Sequence, residues 1–280
     1  MPIELPRLLE PEALHALLTA ERGGSPRADW GDVLIVDLCQ AQSYAAGHIE
    51  GALHIEPTAL VAGTRPAVGK LQDAARLTAL FGKLGLAPDT SVIAYDDEGG
   101  GWAGRLIWTL EVIGHTRWSY VNGGLHAWLD IGAPTSTEVA LRSPTHFALN
   151  LQAQPRVLIE ELLQRHGEPG VQVWDARSAA EYRGERTGSA RAGRIPGAVN
   201  LDWLELMDSQ RALRLRTDLH KLLSARGLHR ESEVITHCQT HHRSGLTYLV
   251  GRILDMNIRA YDGSWSEWGN RSDTPIDGGP

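Results

Sequence analysis

Short apolar runs rich in valine and isoleucine alternate along this chain with longer stretches of helical periodicity. The runs VLIVD at 33–37 and EVITHC at 233–238 have the length of buried strands. Residues 71–85 and 217–227 instead repeat their apolar positions at helical spacing. Because strands that alternate with helices build parallel sheets, the pattern predicts an α/β fold with helices on both faces of a mainly parallel sheet.

The same succession of motifs occurs twice. Three pairs of segments correspond: 33–55 with 171–201, 91–96 with 233–238, and 121–128 with 260–268. Asp37 then aligns with Asp175, and Tyr44 with Tyr182. A single repetition after about 140 residues is typical of a duplicated domain and not of a solenoid, which repeats many times at a shorter period.

The connection between the two halves is marked by a change in composition. Residues 131–150 contain proline, serine and threonine without helical periodicity. We therefore place the domain boundary near residue 143, which gives a first domain at 1–143 and a second at 144–280.

Length, composition and charge limit the possible classes of protein. The chain has 280 residues, of which 42% are hydrophobic and 22% charged, so it contains enough apolar material for two folded domains. A net charge of -7 argues against nucleic-acid binding. The expected partners are small molecules or proteins.

Compartment is predicted from the absence of export signals and from the cysteine content. The N-terminal sequence MPIELPRLLE has no signal-peptide pattern, and no apolar run approaches the roughly 18 residues of a membrane span. Cys39 and Cys238 are the only cysteines, one in each half, which suits a reducing compartment. These features predict a cytoplasmic protein without a structural disulfide or a membrane partner.

The segment CQTHHRS at 238–244 is the strongest candidate for chemistry. Cys238 ends a predicted buried strand, and a helical pattern begins soon afterwards, at residue 245. A strand-to-helix loop lies at the carboxyl edge of a parallel sheet, where such sheets bind ligands. Backbone N–H groups of the loop and of the helix N-terminus can point at one anion there, and Cys238 is placed to be that anion.

A nucleophilic cysteine requires a thiol pKa below its ordinary value of about 8.5. A helix N-terminus contributes about 0.3 to 1 kcal/mol, at best about 2, which is marginal alone. Loop N–H groups, the charge of Arg243 and a partly protonated His241 or His242 are expected to supply the rest. The composition of the loop therefore indicates an activated thiolate at Cys238.

The first half lacks this chemistry at the equivalent position. Asp96 takes the place of the cysteine and is followed by Asp97, Glu98 and three glycines. A carboxylate cannot replace a thiolate as nucleophile here, and three carboxylates repel an anionic substrate. We expect an inactive domain that supports the other; a divalent-metal site is the alternative, although no second cluster of oxygen ligands completes it.

Several other residues allow both a structural and a functional interpretation. His237, His241 and His242 suggest zinc, but no second ligand pair accompanies them, so no metal site is expected. Arg183 and Arg186 open an arginine-rich segment, 183–194, that is either a solvated loop or part of an anion-binding funnel. Cys39 is expected to be a packing residue. Trp265 is expected in the core, with a place in the pocket as the alternative.

The motifs DARSAAEY at 175–182, GRIPGAVN at 193–200 and DGSW at 262–265, together with the cysteine loop, resemble the tandem-domain rhodanese family. The loop CQTHHRS resembles that of a bacterial rhodanese subgroup, whereas the animal enzymes have loops of the CRKGVT and CGSGVT kinds. The resemblance covers nearly the whole chain. It implies two tandem rhodanese-like domains, each a mainly parallel sheet flanked by helices.

The resemblance also implies a reaction. The Cys238 thiolate attacks the outer sulfur of thiosulfate, sulfite leaves, and the resulting persulfide passes its sulfur to cyanide or a thiol, with a protein acceptor left open. No cofactor is expected beyond the persulfide. Asp175 and Arg177 are implied as a supporting ion pair, while Arg183 and Arg186 are further substrate-binding candidates. The cradle around the sulfur is formed by Gln239, Thr240, His241, His242, Arg243 and Ser244.

Three rival functions remain open on the sequence. Dual-specificity phosphatases share this fold but use CxxxxxR, whereas Cys238 to Arg243 is CxxxxR, a shorter ring suited to one sulfur atom; arsenate reductases fail the same test. A non-catalytic binding module is a second rival. Mercaptopyruvate enzymes of the family have an arginine where this chain has Glu181, which disfavours mercaptopyruvate as donor and favours thiosulfate.

Overall fold

The computed structural model describes residues 5–22 and 32–278 and contains two five-stranded sheets, one in each half of the chain. The strands are β1 (Leu8–Leu9), β2 (Val33–Asp37), β3 (Leu53–His54), β4 (Ser91–Tyr95), β5 (Trp118–Val121), β6 (Arg156–Val157), β7 (Val171–Asp175), β8 (Val199–Asn200), β9 (Met207–Asp208), β10 (Arg214–Leu215), β11 (Glu233–His237) and β12 (Ile258–Tyr261). The strand order is β1-β5-β4-β2-β3 in one sheet and β6-β12-β11-β7-β8 in the other. A separate antiparallel ribbon joins β9 and β10.

Helices connect the strands in both halves. They are α1 (Pro11–Arg22), α2 (Ala41–Ala46), α3 (Ala74–Lys83), α4 (Gly101–Val112), α5 (Gly124–Asp130), α6 (Ile159–Arg165), α7 (Ala179–Tyr182), α8 (Leu219–Ala225), α9 (Arg243–Ile253) and α10 (Ser264–Trp268). Asp73 begins α3 by accepting a 2.9 Å hydrogen bond from the N–H of Arg76. Ser178 and Glu181 form a capping box at α7. The predicted helical stretches correspond to α3, α8 and α9.

Strand pairing repeats from one half to the other. All five residues of β2 pair in parallel with the five of β4, and all five of β7 pair in parallel with the five of β11. The connections from β4 to α4 and from β11 to α9 therefore lie at equivalent edges of the two sheets. The tandem α/β architecture predicted from the sequence is confirmed.

One cluster of buried apolar side chains continues across both halves. Trp108 and Tyr120 join it from the first half, Trp174 and Leu246 from the second. The other faces of the two sheets pack in separate clusters, one of which contains Trp128 and the other Trp268. The shared cluster means that the two domains bury apolar surface against each other as a folded core does.

Helices α4 and α9 lie at the centre of the contact between the halves. Every residue of α4 except Trp102 is buried. A Cβ atom at Gly245 of α9 would lie 2.7 Å from the backbone nitrogen of Arg105 in α4, so only glycine allows this approach. The close packing brings together the loops that precede the two helices.

The connection between the domains follows the surface of the first half. The N–H of Thr145 donates to the carbonyl of Gly82 at 2.9 Å, and that of Gln152 donates to Val112 at 2.7 Å. The boundary near residue 143 falls within this connection and stays a prediction. Within the two described ranges, no helix has the length and apolar character needed to cross a membrane.

Candidate active site

A short loop joins the buried strand β11 to helix α9 and carries Cys238 at its start. The strand ends at His237 and the helix begins at Arg243. Cys238 is 1% exposed, and its carbonyl accepts a 2.9 Å hydrogen bond from the N–H of Trp265. Its own N–H donates to the Ser264 hydroxyl at 3.3 Å. The loop is thus fixed at the carboxyl edge of the sheet, where the sequence predicted it.

Two residues of this region have left-handed backbone conformations despite carrying side chains. The φ angle is 57° at His241 and 53° at Ser264. Such conformations cost about 1 to 3 kcal/mol each and concentrate at functional sites. Because the Ser264 hydroxyl holds the Cys238 N–H, the unfavourable backbone coincides with a contact that fixes the loop.

The surroundings of the Cys238 thiol favour its ionised form. Burial alone would raise the thiol pKa, but the charge of Arg243, hydrogen bonds from the hydroxyl and N–H of Ser244, and the charge of His242 hold the pKa below its ordinary value. Ser244 is the second residue of α9, so its N–H has no partner within the helix. The arrangement provides what a nucleophilic thiolate requires.

Of the two histidines expected to carry a partial charge, His241 is neutral. Burial and the charges of Arg105 and Arg156 lower the pKa of His241 well below its ordinary value. Its Nδ1 lies 2.8 Å from the Ser244 hydroxyl oxygen. A proton on Nδ1 would donate to that oxygen and leave the Ser244 hydroxyl hydrogen for the Cys238 sulfur, which the other tautomer would not allow.

His242 is the histidine whose surroundings favour the charged form, and its partner comes from the first domain. Its Nε2 forms an ion pair with the carboxylate of Glu98. Burial lowers the pKa of His242, but the hydrogen bond and charge of Glu98 more than compensate and raise it. The ring packs against Trp102 and Trp203, with centroid distances of 4.5 and 5.5 Å.

Arg243 is held in place by a carboxylate from α7. Its Nη1 and Nη2 donate to the two oxygens of Glu181 at 2.7 and 2.8 Å. Burial raises the pKa of Glu181, but the hydrogen bonds and charge of Arg243 lower it to about 2. Arg243 therefore acts on Cys238 with a fixed positive charge, while both terminal nitrogens are already bound.

Asp175 and Arg177, implied as a supporting pair, form a buried ion pair at the end of β7. Arg177 Nη2 lies 2.6 Å from an Asp175 oxygen, and both side chains are at most 1% exposed. The Arg177 guanidinium lies over the ring of Trp265, 4.3 Å from its centroid. Trp265 is a core residue, as expected, and at the same time holds the carbonyl of Cys238.

The segment 183–194 reaches the cysteine loop through a serine. The Gln239 side-chain amide donates to the Ser189 hydroxyl at 3.1 Å. Arg183 instead pairs with Glu185 on the surface, and Arg186 is exposed. Among the described residues, neither arginine forms an ion pair with the 238–244 loop, so the structure does not bring these two candidates into the cradle.

Thr240 completes the loop at its contact with the first domain. The Thr240 carbonyl lies against Gly69 of the first domain, so closely that a Cβ atom at Gly69 would overlap the carbonyl oxygen. The loop 238–244 is thus enclosed by both halves of the molecule. In the described parts of the chain, no group of three or more histidine, cysteine or acidic side chains is arranged to hold a metal ion.

The equivalent loop of the first half is closed around its own carboxylate. Asp96 accepts hydrogen bonds from the N–H groups of Glu98, Gly99, Gly100 and Ala103 at 2.8 to 3.2 Å. Burial and the charge of Glu98 raise the pKa of Asp96 to about 6, against these hydrogen bonds. A built-in carboxylate thus occupies the position that corresponds to the Cys238 thiol in the second half.

Cys39 lies outside any such cradle. It is fully buried, and burial and the charge of Asp37 raise the pKa of its thiol. The packing role expected from the sequence agrees with this environment.

Sequence reasoning missed the residues that reach the site from elsewhere in the chain. Glu98 and Trp102 come from the first domain, which was expected to cover the active one and to shape the cleft between them, but from which no site residue was named. The internal repeat carried a usable signal, since Asp96 and Cys238 occupy equivalent strand ends, and duplicated domains that share a core can bring such ends together. Nothing in the sequence pairs Ser189 with Gln239.

Comparison with known proteins agrees with the fold. The rhodanese-like domain family matches residues 25–131 and 158–271. Thiosulfate sulfurtransferases of Azotobacter vinelandii and Pseudomonas aeruginosa are each 46% identical to this chain over 98% of it, covering 97% and 98% of their own lengths. The 3-mercaptopyruvate sulfurtransferase of Escherichia coli is 33% identical over 85% of each chain.

A solved structure gives the same fold at lower identity. The anaerobic ergothioneine biosynthesis enzyme of Chlorobium limicola superposes with a TM-score of 0.85 at 21% identity, covering 98% of this chain and 70% of that enzyme. This likeness concerns the architecture alone. Each half of the chain contains one five-stranded parallel sheet and one segment that matches the rhodanese-like domain, and the relatives align over nearly the full length of the chain. This chain therefore belongs to the rhodanese family as a tandem of two rhodanese-like domains.

Proposed function

We propose that the protein is a sulfurtransferase that takes sulfane sulfur from thiosulfate, carries it as a persulfide on Cys238 and transfers it to cyanide or a thiol. The observation that carries the proposal is a buried cysteine whose pKa is lowered by Arg243, Ser244 and His242 against the effect of burial. The two relatives at 46% identity bear the name thiosulfate sulfurtransferase, which supports the choice of donor.

The chemistry balances without a cofactor or an external oxidant. The Cys238 thiolate attacks the outer sulfur of thiosulfate, a new S–S bond forms to Cys238, and the S–S bond of thiosulfate breaks with its electron pair leaving on sulfite. Cyanide carbon then attacks the outer sulfur of the persulfide. Thiocyanate leaves, and the electron pair returns to Cys238 as the thiolate.

The N-terminus of α9 supplies the electrostatic stabilisation. The N–H of Ser244 points to the sulfur, and the charges of Arg243 and His242 stabilise negative charge on it before and after the attack. These groups are held by Glu181 and Glu98. They therefore need little reorganisation when the thiolate or the persulfide forms.

Mercaptopyruvate is the alternative donor, and one contact disfavours it. The donor's carboxylate needs a cation, but the terminal nitrogens of Arg243 are already bound to Glu181. The Glu181 carboxylate would also repel a second carboxylate. Thiosulfate has no carboxylate to bind. Its negative charge is shared by the outer sulfur and the sulfonate oxygens, so it needs only the general positive potential of the loop.

Steady-state assays on three proteins test the proposal. The native protein should produce thiocyanate from thiosulfate and cyanide, the Cys39→Ala variant should retain that activity, and the Cys238→Ala variant should lose it. Replacing thiosulfate with mercaptopyruvate should lower kcat/KM in the native protein. Equal or greater efficiency with mercaptopyruvate would reverse the assignment of the donor.

A further inference from the structure

The ion pair between Glu98 and His242 joins the loop of the inactive domain to the loop of the active one. Glu98 lies 2 residues after Asp96, and His242 lies 4 residues after Cys238. The two side chains meet at Glu98 Oε1 and His242 Nε2. We propose that Glu98 is a positioning residue for sulfur transfer at Cys238 and acts through His242.

The loop of the first domain is built to present Glu98 in a fixed position. The Asp96 carboxylate accepts the N–H of Glu98 at 3.2 Å and those of Gly99 and Gly100 at 3.1 and 2.8 Å. The backbone that carries Glu98 is therefore held from the same domain. The replacement of the nucleophile by Asp96 gives this loop a structural role, because a buried acceptor now organises the N–H groups.

Space for the ion pair depends on a glycine. A Cβ atom at Gly101 would lie 2.6 Å from Glu98 Oε1 and 2.6 Å from His242 Nε2. The backbone of Gly101 is not in the left-handed region, so its conformation does not require glycine. Glycine is needed here because any side chain would press between the two partners.

The ring of His242 is also confined from both domains. Trp102 of α4 lies 4.5 Å from it between ring centroids, and Trp203 lies 5.5 Å away. These uncharged aromatic neighbours limit access of water to the ion pair and weaken screening of its charge. Glu98 then fixes both the orientation of the ring and which of its nitrogens faces the first domain.

The charged groups around His242 are consistent with a cation that acts on the sulfur. Those that face it are Glu98, Asp96 and Cys238, and each favours the charged imidazole. On the turn that carries Trp203, Glu205 is paired with Arg226. Arg243, the next residue along the chain, is paired with Glu181. His242 in turn lowers the pKa of the Cys238 thiol.

This inference rests on the proposed function and predicts a specific pH effect. A charged His242 stabilises the thiolate and the anionic donor, and the charge is lost as pH rises through the pKa of His242. Glu98→Gln lowers that pKa, so the alkaline limb of persulfide formation should move to lower pH by about one unit. Single-turnover reaction with thiosulfate, quenched and followed by intact mass, measures this first step.

Two further variants separate positioning from a general structural effect. Gly101→Ala keeps both partners but forces them apart, so it should shift the alkaline limb in the same direction as Glu98→Gln. Asp97→Asn removes a neighbouring carboxylate that has no side-chain hydrogen bond or ion pair among the described residues, and it should leave the profile unchanged. His242→Asn should abolish the effect of Glu98→Gln, leaving less than about a twofold change in rate at any pH.

NMR titration of the His242 ring gives a readout independent of turnover. Its signal is assigned by its loss in His242→Asn, and its midpoint should fall in Glu98→Gln and in Gly101→Ala. The inference is overturned if folded Glu98→Gln has the pH profile and the ring titration of the native protein, or if its effect persists in the His242→Asn background. Failure of the native protein to form a persulfide would instead overturn the proposed function.

Discussion

Arg243 and Glu181 form a two-point ion pair beside the cysteine loop, with nitrogen-to-oxygen distances of 2.7 and 2.8 Å. The first residue of helix α9 is thereby tied to α7, an element 62 residues earlier in the chain. The pair holds the charge of Arg243 near Cys238. It also uses the two terminal nitrogens of Arg243 that could otherwise bind a substrate. Two predictions depend on this arrangement.

The Arg243→Gln variant should have a less acidic Cys238 thiol. Among the effects that lower the pKa of Cys238 against burial, the charge of Arg243 is the largest, so its removal raises this pKa. The reactive thiolate exists only above the thiol pKa. The midpoint of reactivity should therefore move to higher pH by about one unit in this variant. The pH dependence of alkylation by iodoacetamide, measured in a Cys39→Ala background, gives the midpoint.

A charge-balanced variant controls for the unpaired carboxylate. In the Arg243→Gln, Glu181→Gln double variant no uncompensated charge remains, and the thiol pKa should lie between the native value and that of Arg243→Gln. An unchanged midpoint in Arg243→Gln itself would show that Arg243 does not activate the cysteine.

The native protein should not hydrolyse aryl phosphates. The loop from Cys238 to Arg243 is one residue shorter than the phosphatase pattern, and the terminal nitrogens of Arg243 are bound to Glu181. Inserting one residue between Cys238 and Arg243 enlarges the ring of N–H donors, so sulfur transfer should fall. Assays with p-nitrophenyl phosphate and with thiosulfate on both proteins compare the two activities. Efficient phosphate hydrolysis by the native loop, or unchanged sulfur transfer after the insertion, would reopen the phosphatase interpretation.

Moving the cysteine to the first loop should not create a second active site. In a Cys238→Ala, Asp96→Cys variant, the N–H groups that now bind the Asp96 carboxylate would surround a thiol. Glu98 would raise its pKa, and the position equivalent to Arg243 is Gly101, which carries no charge. Thiocyanate production should stay at the level of Cys238→Ala, and appreciable turnover would mean that the N–H groups alone suffice.

The buried pair of Asp175 and Arg177 should matter for stability. Asp175→Asn leaves the Arg177 guanidinium without its counterion in a site at most 1% exposed, which costs about 3 to 5 kcal/mol in the free energy of unfolding. Urea denaturation measures the change. Arg183→Gln, which breaks the exposed pair with Glu185, is the control and should leave the midpoint nearly unchanged. A small effect of Asp175→Asn would show that the buried pair is not a structural support.

The fold and the position of the cysteine loop were accessible from the sequence because they depend on local pattern. Alternating apolar strands and helices gave the sheets, the repeat gave the tandem arrangement, and a strand that ends at Cys238 gave the loop. The partners of the loop were not accessible. Glu98, Glu181 and Ser189 lie 144, 62 and 50 residues from their partners, and only packing brings them together.

The charge of individual loop residues was likewise beyond sequence reasoning. His241 and His242 are adjacent, yet their pKa values move in opposite directions. That of His241 is lowered because the ring is buried near two arginines, and that of His242 is raised because the ring meets Glu98. The sequence identifies Glu181 only as a residue that replaces the arginine of the mercaptopyruvate enzymes. Its pairing with Arg243 adds a second reason against a carboxylate donor, which the sequence could not supply.

The most direct measurement of the central claim is the intact mass of the protein before and after thiosulfate, and again after cyanide. Thiosulfate should add the mass of one sulfur atom, about 32 Da, and cyanide should remove it as thiocyanate. Cys39→Ala should behave like the native protein, and Cys238→Ala should show no addition. Absence of the added sulfur in the native protein, or its appearance in Cys238→Ala, would contradict the account of Cys238 as the sulfur carrier.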